Sequence, residues 1–352
     1  MLSDLRLQHF RSYNDTSFEL SPGVNIVVGP NASGKTNLLE AILVISRGSS
    51  YRAKDSELIQ FDQPWARIDV NAQGGANRTV KLLYDQSPSK QFDIAGKEYK
   101  RLPATQTLPV VLFEPNHLQL LSGSPEKRRE YLDELIEQTV TGYGAIVRQY
   151  KRALAQRNSL LKQSPKNTTL FPWNVRLSQL AGQIVRYRVE MTKNIDAILP
   201  KLYKELSQTK VKVHVEYQNV WPPEQYETRL LKELEANTQT DIIRGFTSKG
   251  PHREDLAIFF DGHLAQETAS RGETRTAVLA LKIIELQLIE KARDTTPLLL
   301  LDDVFSELDG KRRHALTDYL EKYQTFITTT DADLVVKNFT QNCNVIALSP
   351  KH

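Results

Sequence analysis

The residues that most clearly suggest chemistry, by type and by spacing, are eight consecutive ones near the start of the chain. They match the pattern Gly-x-x-x-x-Gly-Lys-Thr and read Gly29, Pro30, Asn31, Ala32, Ser33, Gly34, Lys35 and Thr36. In this pattern, backbone N–H groups and a helix start surround a β-phosphate, the lysine reaches the β/γ oxygens, and the threonine hydroxyl binds Mg²⁺. The apolar run 24–28 and the helical pattern 38–42 supply the expected strand and helix. The pattern predicts a nucleotide-binding P-loop.

A second set of candidate residues follows a fully apolar run near the other end of the chain. Leu298 to Leu301 precede Asp302 and Asp303, and Ser306-Glu307-Leu308-Asp309 comes directly after. In a P-loop protein, a carboxylate at the end of such a strand lies beside the metal. We expect Asp302 to bind Mg²⁺ together with Thr36, and Asp303 to orient or polarise the attacking water.

A third candidate is the segment Ser270-Arg271-Gly272-Glu273, which opens an apolar helical pattern. Taken alone, these four residues fit a simple N-cap. However, they lie some thirty residues before Asp302, where ATP-binding-cassette proteins carry their signature segment. In the arrangement of those proteins, a signature segment cannot contact the nucleotide bound by the P-loop of its own subunit. We therefore expect Ser270, Arg271 and Gly272 to face a γ-phosphate bound by a second subunit.

The elements that must position these residues fall into two predicted lobes. Residues 1–120 and 275–352 read as an α/β ATPase lobe that carries the P-loop and the Asp302 strand. Residues 121–274 read as a mostly helical second lobe that carries the signature segment. Its first helix is predicted to start at Ser124-Pro125, and its third to end near Pro200.

Composition limits the class of protein. The chain has 352 residues, 40% of them apolar, and a single cysteine, Cys343, which excludes a disulfide within the chain. Its longest apolar runs, such as Ala41 to Ile45, hold five residues, where a membrane span needs about 20. We expect a cytoplasmic protein with no membrane partner. The net charge of +4 permits nucleic acid as a partner without requiring it.

The order of these features resembles the RecF recombination-repair family over nearly the whole chain. The segments that carry the resemblance, besides those already given, are Phe10-Arg11-Ser12-Tyr13, Asn37-Leu38-Leu39-Glu40-Ala41-Ile42, Ser124-Pro125 with Arg128-Arg129, Gln156-Arg157-Asn158, and Gly250-Pro251-His252-Arg253-Glu254-Asp255-Leu256. The resemblance implies a two-lobed ATP-binding-cassette ATPase head, related to SMC-type heads, that dimerises on ATP and binds DNA.

The resemblance also implies residue roles and partners. Lys35, Asp303, Ser270 and Gly272 would act in catalysis, Arg11 and Arg271 would lie near the nucleotide, and ATP and Mg²⁺ would be the cofactors. The family further implies weak, DNA-stimulated ATP turnover, in which slow hydrolysis releases duplex or junction DNA. RecR and RecO are the protein partners it implies.

Three residues depart from the family pattern. Ala32 stands where glycine is usual, and we expect the remaining glycines to occupy the tight positions of the loop. Glu273 stands where glutamine is common and would place a negative charge near the incoming phosphate. Glu114 stands in a segment that usually carries glutamine, and is a candidate for the metal side of the site.

Basic residues cluster at four places that a dimer would double and align along duplex DNA without sequence readout. These clusters are Lys127-Arg128-Arg129, Arg148-Lys151-Arg152, Arg186-Arg188 and Lys311-Arg312-Arg313. For His252 and Arg253 a structural loop is favoured over ligand contact.

Two other classes share the P-loop. A transporter ATPase is disfavoured because more than 230 residues separate Thr36 from Ser270. A P-loop kinase is disfavoured by the signature segment.

Overall fold

The structure is a computed structural model that describes residues 1–85, 87–163, 167–320, 322–331 and 343–349. The chain divides into two compact units, and each is described by itself below. Unit 1 comprises Met1–His117 and Leu286–His352, and unit 2 comprises Leu118–Glu285. The boundaries expected from the sequence follow residues 120 and 274.

The strands are β1 (Leu2–Phe10), β2 (Tyr13–Glu19), β3 (Val24–Val28), β4 (Trp65–Ala72), β5 (Arg78–Asp85), β6 (Ser87–Ile94), β7 (Lys97–Tyr99), β8 (Val110–Phe113), β9 (Val213–Gln218), β10 (Asp255–Phe260), β11 (His263–Leu264), β12 (Leu298–Asp302), β13 (Thr325–Thr329) and β14 (Cys343–Ala347). The α-helices are α1 (Lys35–Arg47), α2 (Asp55–Leu58), α3 (Pro125–Thr139), α4 (Tyr143–Leu161), α5 (Asn167–Ser207), α6 (Tyr226–Ala236), α7 (Thr238–Arg244), α8 (Ala265–Thr268), α9 (Arg271–Arg293), α10 (Val304–Glu307) and α11 (Gly310–Leu320). Short 3₁₀ turns cover Ala104–Gln106 and Pro115–Gln119.

Unit 1 contains two sheets with helix α1 between them. A parallel sheet has the order β14-β3-β13-β12-β8, and an antiparallel sheet has the order β2-β1-β4-β5-β6-β7. Strands β12 and β13 are buried at every residue, as expected for central strands of a parallel sheet. Strands β1 and β4 bury only one face. Side chains of α1 contribute to one core with both sheets, and ten of the 13 residues of this helix are buried.

Unit 2 is built around the long helix α5, which packs against α4, α6 and β9. A small antiparallel sheet of order β11-β10-β9 completes it. Helix α3 begins at Pro125 with Ser124 at the N-cap position, so that sequence prediction is confirmed, although the serine hydroxyl makes no capping bond. The prediction that the third helix ends near Pro200 is wrong. Helix α5 continues to Ser207 because Leu199, Leu202 and Tyr203 are all buried there, and their packing outweighs the cost of the proline.

Candidate nucleotide-binding site

The P-loop lies at the carboxyl end of β3, where it turns into α1. In an open parallel sheet, this is the edge at which ligands bind. Residues 29–34 form the turn, and Lys35 and Thr36 open the helix. Gly34 occupies the N-cap with φ of 102°, a left-handed conformation that favours glycine. The N–H groups of the first helical turn have no partner within the helix and are therefore suited to bind an anion.

Ala32 is the strained residue of the loop. Its φ is 63°, which is left-handed although alanine carries a Cβ. Gly34 occupies a tight position of the loop as expected, and Ala32 occupies a further one. At Gly29 the constraint is space, since a Cβ there would lie 2.6 Å from Ser33 Oγ and 2.8 Å from the carbonyl oxygen of Leu348.

The Lys35 side chain is folded back along its own loop. Its Nζ donates hydrogen bonds to the carbonyl oxygens of Gly29 at 2.8 Å and Pro30 at 3.0 Å, and the residue is almost completely buried. Both acceptors are neutral. A phosphate oxygen offers the ammonium a charged acceptor, and such hydrogen bonds are roughly twice as strong as neutral ones.

The structure brings Thr36 and Asp302 together. The Thr36 hydroxyl donates to Asp302 Oδ1 at 3.0 Å, and the Thr328 hydroxyl donates to the same oxygen at 2.8 Å. The Tyr51 hydroxyl donates to Asp302 Oδ2 at 3.4 Å. Carboxylate and hydroxyl oxygens are the hard ligands that Mg²⁺ prefers. Among the described residues no group of three His, Cys, Asp or Glu could hold a metal. Asp302 and Thr36 supply oxygens that fit Mg²⁺, with water and phosphate oxygens as its further ligands.

Asp303 follows at the end of β12 and is the second strained residue of the site. Its φ is 51°, and its backbone N–H donates to the Thr328 hydroxyl at 2.9 Å. Burial raises the pKa of the Asp303 carboxyl, and the nearby Asp302 carboxylate adds to this, whereas Lys35 opposes it. Non-glycine residues in left-handed conformations cluster at functional sites, where the surrounding structure holds them. Of the two strained residues, Ala32 lies in the P-loop and Asp303 bears the candidate catalytic carboxylate.

Sequence reasoning missed Thr328 and Tyr51. Thr328 lies on β13, between the P-loop strand and the Asp302 strand, where it contacts both aspartates. The available signal was the threonine run 328–330 directly after an apolar stretch. Tyr51 lies in the segment after α1 and gave no comparable signal.

The segment 10–13 braces the P-loop helix. Arg11 makes two hydrogen bonds to Glu40, at 2.8 Å and 2.9 Å, and Arg52 makes a third at 3.1 Å. Tyr13 donates its hydroxyl to the carbonyl oxygen of Gly34 at 3.0 Å. Burial would raise the pKa of the Glu40 carboxyl, but the hydrogen bonds from Arg11, Arg52 and Ser50 outweigh it and lower that pKa. The nucleotide contact expected of Arg11 stays a prediction.

The signature segment begins α9 with a capping box. The Ser270 N–H donates to Glu273 Oε2 at 2.8 Å, and the Glu273 N–H donates to the Ser270 hydroxyl at 3.3 Å. Glu273, which departs from the family pattern, thus has a structural role in the single chain. Ser270 and Arg271 are exposed and Gly272 is half-buried. Glu114 lies at the end of β8, and its charge adds to the raised pKa of the Tyr51 hydroxyl, a rise due mainly to burial.

Two of the predicted DNA-contacting arginines are buried in unit 2. Arg128 is 1% exposed and makes a two-pronged ion pair with Asp255. Arg188 is 5% exposed and makes the same kind of pair with Asp133. The prediction that these two bind DNA phosphates is therefore wrong, because a sequence cluster does not reveal the carboxylate that lies opposite.

Comparisons with known proteins decide the family. The chain matches the RecF/RecN/SMC N terminal domain family over residues 1–349. It is 35% identical over 339 residues to the DNA replication and repair protein RecF of Heliobacterium modesticaldum, covering 93% of this chain and 91% of that protein. The corresponding protein of Ruminiclostridium cellulolyticum is 34% identical, with 95% and 93% covered. The chain belongs to the RecF family.

Solved structures agree with this assignment. A structure of the recombination mediator protein RecF-ATPrS in the RecFOR pathway aligns with a TM-score of 0.88 at 30% identity, covering 99% of this chain and 97% of that one. A RecF-ATP structure of the same pathway gives 0.83, also at 30% identity, with 94% and 92% covered. An Smc head at 15% identity, with a TM-score of 0.57 over 99% and 95% of the chains, shares the fold. The α/β head of an ATP-binding-cassette ATPase is confirmed. None of the described helices has the length and apolarity to cross a membrane.

Proposed function

We propose that this chain is an ATP-dependent DNA-binding protein of recombinational repair and replication restart, active in the cytoplasm. ATP would join two copies into a clamp on DNA, and slow hydrolysis would release it. The observation that carries the proposal is the convergence of Lys35, Thr36, Asp302 and Asp303 at one edge of the parallel sheet of unit 1. Similarity to RecF-ATP structures over almost the whole chain supports ATP as the ligand.

We propose the following roles for the site residues, supported by their contacts. Lys35 would bind β- and γ-phosphate oxygens in place of its two carbonyl acceptors. Thr36 and Asp302 would hold Mg²⁺, which would neutralise charge on the phosphates. Thr328 and Tyr51 orient the Asp302 carboxylate by donating to its two oxygens. Asp303 orients or polarises the attacking water, and Thr328 fixes its backbone.

The second copy would contribute its signature segment. Ser270, Arg271 and Gly272 lie at an exposed helix start, which is suited to bind an anion. In the proposed dimer this helix start faces the γ-phosphate held by the partner's P-loop. The γ-phosphate then links two chains, and its hydrolysis removes the link. We further propose that DNA stimulates a weak turnover and that RecR and RecO are protein partners. Membership in the RecF family argues against a transporter ATPase or a kinase.

The decisive experiment measures native mass with cleavage blocked. An Asp303→Asn variant in MgATP should double in mass from 40.1 kDa. Adding Ser270→Asp should return it to the monomer, because aspartate keeps the N-cap acceptor but repels phosphate. Adding Ser159→Ala, an exposed serine of α4, should leave the dimer intact.

Turnover gives a second readout of the same proposal. Wild-type protein should hydrolyse ATP slowly, and duplex DNA should raise the rate, with water as the only phosphate acceptor. An Asp303→Asn variant that binds ATP but stays monomeric at every protein concentration would contradict the clamp.

A further inference from the structure

One surface of unit 2 combines exposed apolar and cationic side chains on a single short segment. The 243–253 loop, defined here as residues 243 to 253, begins in the last residues of α7 and leads to β10. Ile243 is 85% exposed and Phe246 is 39% exposed. Arg244, Lys249 and Arg253 are exposed as well. The loop contains no carboxylate, so three cations and two large apolar groups lie together without a counter-charge in the same segment.

The loop is anchored from below by a buried arginine. Arg157 is completely buried and donates to Asp241 Oδ2 and to the Thr247 hydroxyl, both at 2.8 Å. Asn158 Oδ1 accepts from the backbone N–H of Thr247 at 2.8 Å and from its hydroxyl at 2.7 Å. The Ser248 N–H donates to Asp241 Oδ1 at 3.1 Å. The centre of the loop therefore has a fixed backbone.

A second anchor holds the carboxyl end of the loop. His252 lies between the Tyr150 hydroxyl, 2.7 Å from Nδ1, and the Thr247 carbonyl oxygen, 3.1 Å from Nε2. With this pair of partners, the neutral ring accepts at Nδ1 and donates from Nε2. Arg188 donates to the carbonyl oxygen of Pro251 at 2.8 Å. The motifs around Arg157 and His252, which the nucleotide site does not use, therefore support one loop.

Two of the exposed groups on this loop are stacked on each other. The Arg253 guanidinium carbon lies 4.8 Å from the centre of the Phe246 ring, within cation–π distance. Stacking fixes the plane of the guanidinium, so a partner that binds its N–H groups loses less side-chain entropy. The segment thus presents two apolar side chains, Ile243 and Phe246, beside three exposed cations. This combination suits a partner that offers both anionic and apolar groups.

We propose that the 243–253 loop contacts the sugar–phosphate backbone of nucleic acid. Arg244, Lys249 and Arg253 would each bind a phosphate, while Ile243 and Phe246 would pack against sugars or a groove wall. The cations face a polyanion with one charge per about 1.7 Å of duplex, and no base-specific donor or acceptor pattern is needed. The inference rests on the proposed DNA-binding function and names the residues that would carry it. In this proposal the loop residues take over the DNA contact that the sequence predicted for Arg128 and Arg188, because the charges of those two arginines are buried.

The test removes the three charges without touching the anchors. The variant Arg244→Gln/Lys249→Gln/Arg253→Gln is compared with Lys193→Gln/Lys201→Gln/Lys204→Gln, which removes three exposed charges from α5 of the same unit. Affinity for duplex and for single-stranded DNA is measured in ATP at salt concentrations between 0.05 and 0.2 M. Each lost phosphate contact lowers the slope of log affinity against log salt by about 0.9 for duplex. Over this range, wild type should therefore lose roughly 40-fold more duplex affinity than the loop variant if one loop of the dimer contacts the duplex, and roughly 1,800-fold more if both loops do.

A second variant separates apolar from charged contact. Phe246→Ala keeps all three cations but removes the stacked ring, so affinity should fall several-fold with almost no change in salt slope. ATP-dependent dimerisation should be unchanged in every variant, because none of the five side chains lies in the P-loop. Thermal melts should be unchanged in the two charge variants, whose replaced side chains are exposed. Phe246 is only 39% exposed, so Phe246→Ala should lower the melting temperature slightly.

The outcomes distinguish this inference from the proposed function. If wild type bound no DNA at any salt concentration, both would be overturned. If wild type bound DNA and the loop variant matched the α5 control, only the loop proposal would fail. If the loop variant kept full DNA affinity but lost binding to RecR, the surface would be a protein-docking site and the proposal would again be wrong. The duplex and single-strand arms show which form of the backbone the loop prefers.

Discussion

The P-loop site of unit 1 and the buried arginines of unit 2 use charge in opposite ways. Lys35 rests on neutral carbonyl oxygens, and Asp302 accepts from neutral hydroxyls. In unit 2, by contrast, Arg157 and Arg188 each face a carboxylate at 2.8 Å. A charge with neutral partners gains from a charged ligand, whereas a charge already neutralised in the interior gains nothing. The first arrangement suits exchange with a ligand, and the second fixes the fold.

The strongest test of this contrast removes one buried charge. Arg157→Met should lower the free energy of unfolding of unit 2 by about 3–5 kcal/mol, because Asp241 would remain buried without its partner. Urea unfolding measures the loss, and hydrogen exchange along the chain assigns it to unit 2. The matched control is Arg148→Met, whose ion pair with Glu137 is exposed and should contribute little. Equal effects of the two substitutions would show that the buried pair does not fix the fold.

An intermediate effect is expected from pH. Burial lowers the pKa of His252 to about 4, and the neighbouring Arg253, Arg129 and Arg188 add to this, whereas the hydrogen bond to Thr247 opposes it. The unfolded state takes up a proton near pH 6.5, before the folded state does. Stability is therefore fully present above pH 6.5 and falls as the pH drops towards 4, by about 3 kcal/mol at most.

The corresponding measurement compares wild type with His252→Gln, which keeps an amide donor for Thr247 but cannot titrate. Unfolding free energies at pH 7, 6 and 5 should converge between the two proteins as the pH falls. In unit 1, the lowered pKa of Glu40 changes the free energy of unfolding only below about pH 4.5. The pH ranges in which His252 and Glu40 affect stability are therefore different. Parallel pH profiles for wild type and variant would exclude a neutral, buried His252.

The smallest effect is expected from the strain in the P-loop. Ala32→Gly should raise the stability of unit 1 by about 1 kcal/mol or less, since glycine adopts a left-handed φ without a steric cost. Ala95→Gly is the control, because Ala95 has φ of 53° in the hairpin turn between β6 and β7 and lies on the surface. A thermal melt should show similar gains for both. A loss of stability in Ala32→Gly alone would mean that the loop needs the alanine methyl group.

The sequence predicted those features that depend on neighbours in the chain. The P-loop turn, the start of α3 at Pro125 and the buried β12 strand before Asp302 are local patterns, and the structure contains each. Contacts between distant segments were not predictable. Arg128 meets Asp255, which lies 127 residues away, and Thr328 meets Asp302 only because β13 pairs with β12. The prediction of a helix end near Pro200 was wrong for the same reason, because tertiary packing and not local preference holds that helix.

The folded-back lysine of the P-loop has a consequence for affinity. Lys35 ties the loop to its own first residues, Gly29 and Pro30. The cradle is thus already shaped, and a triphosphate would spend little of its binding free energy on ordering backbone. The association rate should then be close to that of a rigid receptor. Different nucleotides should be distinguished mainly by their dissociation rates.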